Sequence, residues 1–163
     1  MNIGRSLRRQ KGSELVEFAI SAALLFLLLF GIIEFSVALF DKSTMTNATR
    51  EGARSGILFR PDPRPDFGTY TLQCDTDAVN PENDAIRVAV CDYAEQFLLS
   101  LGGPADMTIE VQRFDRNVNG SFDAGDDLTV NVNYPYQYLV LPGFIESLGG
   151  VLDITSTIVM RAE

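Results

Sequence analysis

Apolar residues recur along this chain in three different rhythms, and each rhythm predicts a different kind of element. The first is unbroken. From Phe18 to Ile33 the sequence reads FAISAALLFLLLFGII, with Ser21 as its one polar interruption and Gly31 easily tolerated. These 16 residues would rise ~24 Å as a helix, short of a ~30 Å hydrocarbon core. Continuing through EFSVALF to Phe40 supplies the missing length and admits Glu34. A buried helix of a soluble core fits less well, because such helices rarely stay apolar on every face for four turns.

The second rhythm is helical. DKSTMTNATREGARSG, Asp41 to Gly56, contains no proline, and Met45, Ala48, Thr49, Gly52, Ala53 and Gly56 fall on a narrow stripe of mostly small residues. Small residues admit a second backbone or helix, so the stripe is either a packing surface or the face of a solvated stub. RPDPRPDFG, Arg60 to Gly68, breaks the helix with three prolines. A second helical pattern follows in Ile86, Ala89, Val90, Tyr93, Ala94, Phe97, Leu98 and Leu101. Asn83 or Asp84 can cap its start, and Gly102-Gly103-Pro104 its end.

The third rhythm alternates. Met107, Ile109 and Val111 form one period-two segment, and Leu128, Val130, Val132 and Tyr134 a second. Leu152, Ile154, Ile158 and Met160, with Ser156 between them, form a third. PYQYLVLPGFIESLGG, Pro135 to Gly150, is an apolar loop that either covers the sheet or offers an edge to a partner. The expected class is α+β: a long N-terminal transmembrane helix, then a small exported domain with one helix on an antiparallel sheet. The expected divisions are a basic N-terminal stretch (1–12), a transmembrane helix that continues beyond the membrane (13–56) and the exported domain (57–163).

Charge orients this plan. The chain carries 22 acidic and 13 basic residues for a net charge of −9. Arg5, Arg8, Arg9 and Lys11 all precede the apolar run, and the first twelve positions hold no acid. The positive-inside bias leaves residues 1 to about 15 in the cytoplasm and exports everything beyond Phe40. So acidic a body is a poor partner for nucleic acid. With no histidine in the chain, the commonest general base and metal ligand is missing. No phosphate-cradling glycine loop, G-x-S-x-G or cysteine–histidine pair is present, and no enzymatic activity is expected. A secretory signal peptide cut after Ala38, at SVA, is a competing reading. Glu14 and Glu17 speak against it, as does the length of the apolar run.

GSELVEFAISAALLFLLLF, residues 12 to 30, holds the most specific signal. If Gly12 ends a leader and Ser13 begins the mature chain, Glu17 is the fifth mature residue, followed by Phe18 and an apolar helix. That arrangement resembles the type IV prepilin pattern in its Tad (tight adherence) variant. VEFA, GIIEFSVALFD and NATREGARSG together resemble the TadE-like family over residues 8 to 56. The family often has a proline early in the apolar helix, where this chain has Ala22-Ala23. Major pilins of that branch are far shorter.

The resemblance implies a minor pilin or pseudopilin in a bacterial cytoplasmic (inner) membrane, its C-terminal domain exported and possible incorporation into a pilus. It implies cleavage between Gly12 and Ser13 by a prepilin peptidase. The implied partners are that peptidase, other pilin-like subunits and the pilus assembly platform. The assembly residues would be Glu17, Phe18 and Glu34. Cleavage frees an amine on Ser13, and in low dielectric Glu17 of one subunit can pair with that amine on a neighbour. Glu34 would face a neighbour or mark the outer interface. The alternative, from another class, is a single-pass anchored binding or sensor domain that never enters a fibre.

Two further groups carry chemistry. Cys74 and Cys91 are the only cysteines, and an even count in an exported domain predicts one disulfide between them. Cys91 as a reduced packing residue is the other reading. DRNVNGSFDAGDD, from Asp115, matches much of a calcium loop. Its candidate ligands are Asp115, Asn117, Asn119, Ser121, Asp123 and Asp126, on a β-hairpin and with weak affinity. A hairpin turn needs the same residues with no metal.

Overall fold

The computed structural model describes residues 6–58, 83–103, 105–139 and 152–162, with side chains from Gly12 onward. The elements run α1 (Ser6–Ile57), α2 (Asp84–Phe97), β1 (Thr108–Phe114), β2 (Asp127–Tyr136) and β3 (Leu152–Arg161). The strands form one antiparallel sheet in the order β1-β2-β3. This is the α+β class that the three rhythms predict. The proline-rich stretch from Arg60 to Gly68 lies outside the described residues.

Helix α1 spans 52 residues without interruption, and its environment changes once along that length. From Gly12 to Ile33 no residue is buried. Burial begins at Glu34 and recurs at Ala38, Asp41, Met45, Ala48, Gly52 and Ser55. Steps of four and three keep these positions on one face of the helix. The upper half of α1 is thus a wall of the domain, and Ala38, Met45, Ala48 and Ala53 belong to its core.

The small-residue stripe is a packing surface, and what it packs against is its own domain. A Cβ on Gly52 would run into Val90 Cγ2, with the Ile86 carbonyl oxygen 3.2 Å away. One on Gly56 would lie 2.6 Å from both Ile86 Cδ1 and Leu128 Cδ2. Glycine at these positions lets α2 and the sheet approach the α1 backbone.

Helix α2 stops at Phe97, before the expected end near Leu101. Leu98 is already extended at φ −75°, ψ 134°, and the Leu99 N–H donates to Asp41 Oδ1 at 3.0 Å. That bond to α1 draws the chain out of the helix, leaving Phe97 and Leu101 on the surface. Asn83 occupies the N-cap without a side-chain capping bond. Its Oδ1 instead accepts from the Arg113 guanidinium on β1.

The sheet buries one face. Ile109, Leu128, Val130, Val132, Tyr134, Tyr136 and Ile154 point inward, in the expected alternation. On the other face Glu110, Asn131 and Thr157 stand in register. Thr157 Oγ1 donates to Asn131 Oδ1 at 2.9 Å. A polar outer face of this kind is what an antiparallel sheet shows when one side meets water.

Candidate functional site

The candidate residues occupy three places, and only the first two lie on α1. At the N-terminal end, Gly12, Ser13, Val16, Glu17, Ile20 and Ser21 share one helix face. Glu17 is exposed, and Phe18 stands out at 73% exposure. A Cβ on Gly12 would meet nothing within 4 Å, so packing does not impose glycine there. Of the leader bases, Arg5 lies outside the described residues, as do the side chains of Arg8, Arg9 and Lys11.

The second place is the junction of α1 with the domain. Glu34, expected to face a neighbour or to mark the outer interface, is turned into its own domain. It is 2% exposed, and its Oε1 accepts the backbone N–H of Leu139. The spacing explains the difference, because Glu34 is the first member of the buried series that continues through Ala38 and Asp41. Two turns above it, Asp41 is fully buried. One of its oxygens takes the Leu99 N–H, and the other has no hydrogen-bond partner. Burial raises this carboxyl to about 6, against the opposing pull of the Leu99 N–H. Tyr136 on β2 is pushed up to about 12, first by burial and then by the charges of Asp41 and Glu34. Tyr138 is raised by burial and by Glu34.

This carboxylate–tyrosine junction was missed in the sequence, where Asp41 reads as the polar end of the span. The available signal was the spacing 34-38-41-45, which puts both acids on the face that also carries Met45. Ala38 is buried in the same stretch of continuous helix, so cleavage after it would cut through the core.

The third place is the loop joining β1 to β2, a hairpin connection as expected. Asp115 accepts from the N–H of Val118 at 2.6 Å and of Gly120 at 2.7 Å. Those bonds hold its carboxyl below the usual range, the one from Gly120 most strongly. The Asn117 and Asn119 side-chain oxygens accept from the N–H groups of Asn119 and Ser121. Their amide nitrogens donate to the two oxygens of Asp123, at 3.0 and 2.6 Å. Asp126, fully buried, accepts from the N–H of Arg116 and of Asp123, each at 2.9 Å. The side-chain oxygens of the loop thus accept its own N–H groups, and Ser121 joins them by donating its N–H. Among the described residues no group of three or more His, Cys, Asp or Glu is placed to hold a metal ion. In this arrangement the hydrogen bonds of the loop close a turn.

Cys91 lies fully buried on α2, and no free cysteine occurs among the described residues. Its expected partner, Cys74, lies outside them.

The geometry defines a class first: one helix long and apolar enough to cross a membrane, bare over its first half and built into an α+β domain over its second. Residues 12–54 match the family model of TadE-like proteins, the family that the N-terminal motifs resemble. This segment contains the whole bare stretch and nearly all of the buried face of α1. The likeness to that family is over this segment alone. No curated protein and no solved structure matches the chain.

Proposed function

We propose that this chain is a minor pilin or pseudopilin in the assembly of a Tad-type pilus, anchored in the inner membrane with its domain exported and processed by a prepilin peptidase between Gly12 and Ser13. The observation that carries the reading is the bare apolar half-helix headed by Gly12 and Glu17, within a segment matching TadE-like proteins. A glycine inside a helix costs about 1 kcal/mol relative to alanine, and nothing around Gly12 requires one. Recognition by a peptidase accounts for a residue that the fold does not need. Cleavage then creates the Ser13 amine, and Glu17 is free on the helix surface to meet it on a sister subunit.

Intact mass of the protein extracted from cells with an active pilus system is the direct test. A mature chain beginning at Ser13, and a block on processing when Gly12 is replaced by a bulky residue, are the expected results. Glu17→Gln should insert and be cleaved but impair piliation, with a smaller effect from Glu34→Gln, whose carboxylate is engaged within its own chain. An intact leader together with normal piliation in Glu17→Gln would leave an anchored binding or sensor domain as the better reading. Export also favours the Cys74–Cys91 bridge, closing a loop with 16 intervening residues for roughly 3 kcal/mol. Titration of the unreduced protein should find no free thiol, and two would exclude the bridge.

A further inference from the structure

The covered and uncovered faces of α1 change character at different heights. On the covered side the domain begins at Glu34, which is 2% exposed and bonded to the Leu139 backbone. On the uncovered side the helix stays apolar for almost two more turns, apart from exposed Ser36, whose hydroxyl donates back to the Ile32 carbonyl at 2.7 Å. Phe35, Leu39 and Phe40 are 60%, 59% and 48% exposed, and Phe35 and Leu39 continue the line of Leu28 and Ile32 without a break. Above Phe40 that side becomes mostly polar and charged, with Lys42, Ser43, Asn47, Arg50 and Glu51 all exposed. Leu139 lies at the height of Glu34 and is itself 57% exposed, beside a half-buried Tyr138.

From these heights we infer that the base of the domain is seated in the outer leaflet, with Phe35, Leu39, Phe40, Tyr138 and Leu139 forming an apolar collar around the exit of α1 whose partner is lipid. The inference rests on the membrane reading of the bare half-helix. The collar is continuous with that span, which identifies lipid as its occupant. The rise from Glu34 to Phe40 is ~9 Å at 1.5 Å per residue. A depth of that order takes the collar from the edge of the hydrocarbon into the interfacial layer, where an aromatic ring with a polar tip such as Tyr138 is at home. The seat also explains the treatment of Glu34. An acid at membrane depth is costly unless it faces protein, and here the domain reaches down to cover it and supplies a backbone N–H. The domain therefore stands on the membrane with no stalk between them.

The chain has no tryptophan, so single-tryptophan variants report depth without background. Full-length Leu25→Trp, Phe35→Trp, Leu139→Trp and Val118→Trp would each be placed in vesicles of phosphatidylcholine brominated at shallow or deep acyl positions. Leu25 marks the span, and Val118, 86% exposed on the β1–β2 loop, marks the far surface. The collar variants should show blue-shifted emission that shallow bromines quench more strongly than deep ones, while Val118→Trp remains unquenched. Unquenched emission at both collar positions, with Leu25→Trp quenched, would overturn the seat and leave the membrane reading intact. Loss of quenching at Leu25→Trp as well would overturn both. Collar emission that is blue-shifted and insensitive to bromine would replace lipid with a second protein surface. All the substituted positions in the collar are exposed, so these changes leave the core intact.

Discussion

Asp41 shows how one side chain ties α1 to the rest of the domain. Its carboxylate ends α2 by taking the Leu99 N–H, yet its second oxygen is buried with no hydrogen-bond partner. Glu34, Tyr134 and Tyr136 are the titratable groups that share its surroundings. The folded carboxyl titrates at about 6, above the ordinary value of 3.8. The unfolded chain therefore releases the proton first, and stability that is fully present below pH ~4 is lost as pH rises through ~6. The loss is at most ~3 kcal/mol, from 1.36 kcal/mol per unit. Asp41→Asn keeps an acceptor for Leu99 and removes the charge. Denaturant melts of the full chain in detergent should show it more stable than wild type above pH 6 and much flatter between pH 4 and 6. An unchanged pH profile would mean that Asp41 is hydrated in solution. The β1–β2 loop makes a second case at this scale. Its carboxylates and asparagine oxygens already accept N–H groups, and if the loop is a turn alone, millimolar calcium should leave the melting temperature of the full chain unchanged. A rise that disappears in Asp115→Ala would restore the calcium reading, at the ~10⁻⁴ to 10⁻³ M expected of extracellular modules.

At the scale of elements, the periodicities were legible wherever a single face decides the pattern. All three strands and the start of α2 follow from apolar spacing, because each element buries one side against one core. The end of α2 was not legible. Its apolar spacing runs on to Leu101, but a bond from another helix 58 residues away in sequence intervenes at Leu99. The small-residue stripe on α1 was legible as a stripe, while its partner was not, since spacing says how close a neighbour can come and not which neighbour it is. That partner is now testable. Gly52→Ala would press a methyl against the stiff Val90 side chain and the Ile86 carbonyl. Overpacking of this kind costs about 1–3 kcal/mol, offset by up to about 1 kcal/mol of helix propensity. Gly56→Ala meets only the far ends of Ile86 and Leu128, so it should be the milder change. Thermal melts of both variants would check the order, and equal stability to wild type in Gly52→Ala would mean that α1 and α2 pack more loosely.

For the whole molecule, the site was readable in sequence where it is a linear motif and unreadable where it is assembled. Gly12, Ser13, Glu17 and Phe18 lie within a few residues of one another and could be found by eye. The Glu34–Leu139 bond joins positions 105 apart, and no local pattern announces it. The same limit hid the true boundary of the domain. Composition suggests a break near Gly56, where small residues give way to prolines, yet the core draws Ala38, Met45, Ala48 and Ala53 from before it. A helix that covers the core cannot be treated as a tether: besides burying Met45 it covers Ile86, Val90 and Leu128, and each large apolar side chain kept from water contributes about 1.5–3 kcal/mol to a net stability of only about 5–15 kcal/mol. A fragment of residues 34–163 should therefore melt cooperatively in mild detergent, which its exposed Phe35, Leu39, Phe40 and Leu139 require. A fragment of residues 58–163, with the same sheet and α2, should show no cooperative transition by circular dichroism. Its solvent-exposed Ile86, Val90 and Leu128 should bind a hydrophobic dye. A sharp melt from the shorter fragment would show that α1 is only laid against a finished domain, and its buried face would then be free to serve as a contact between subunits.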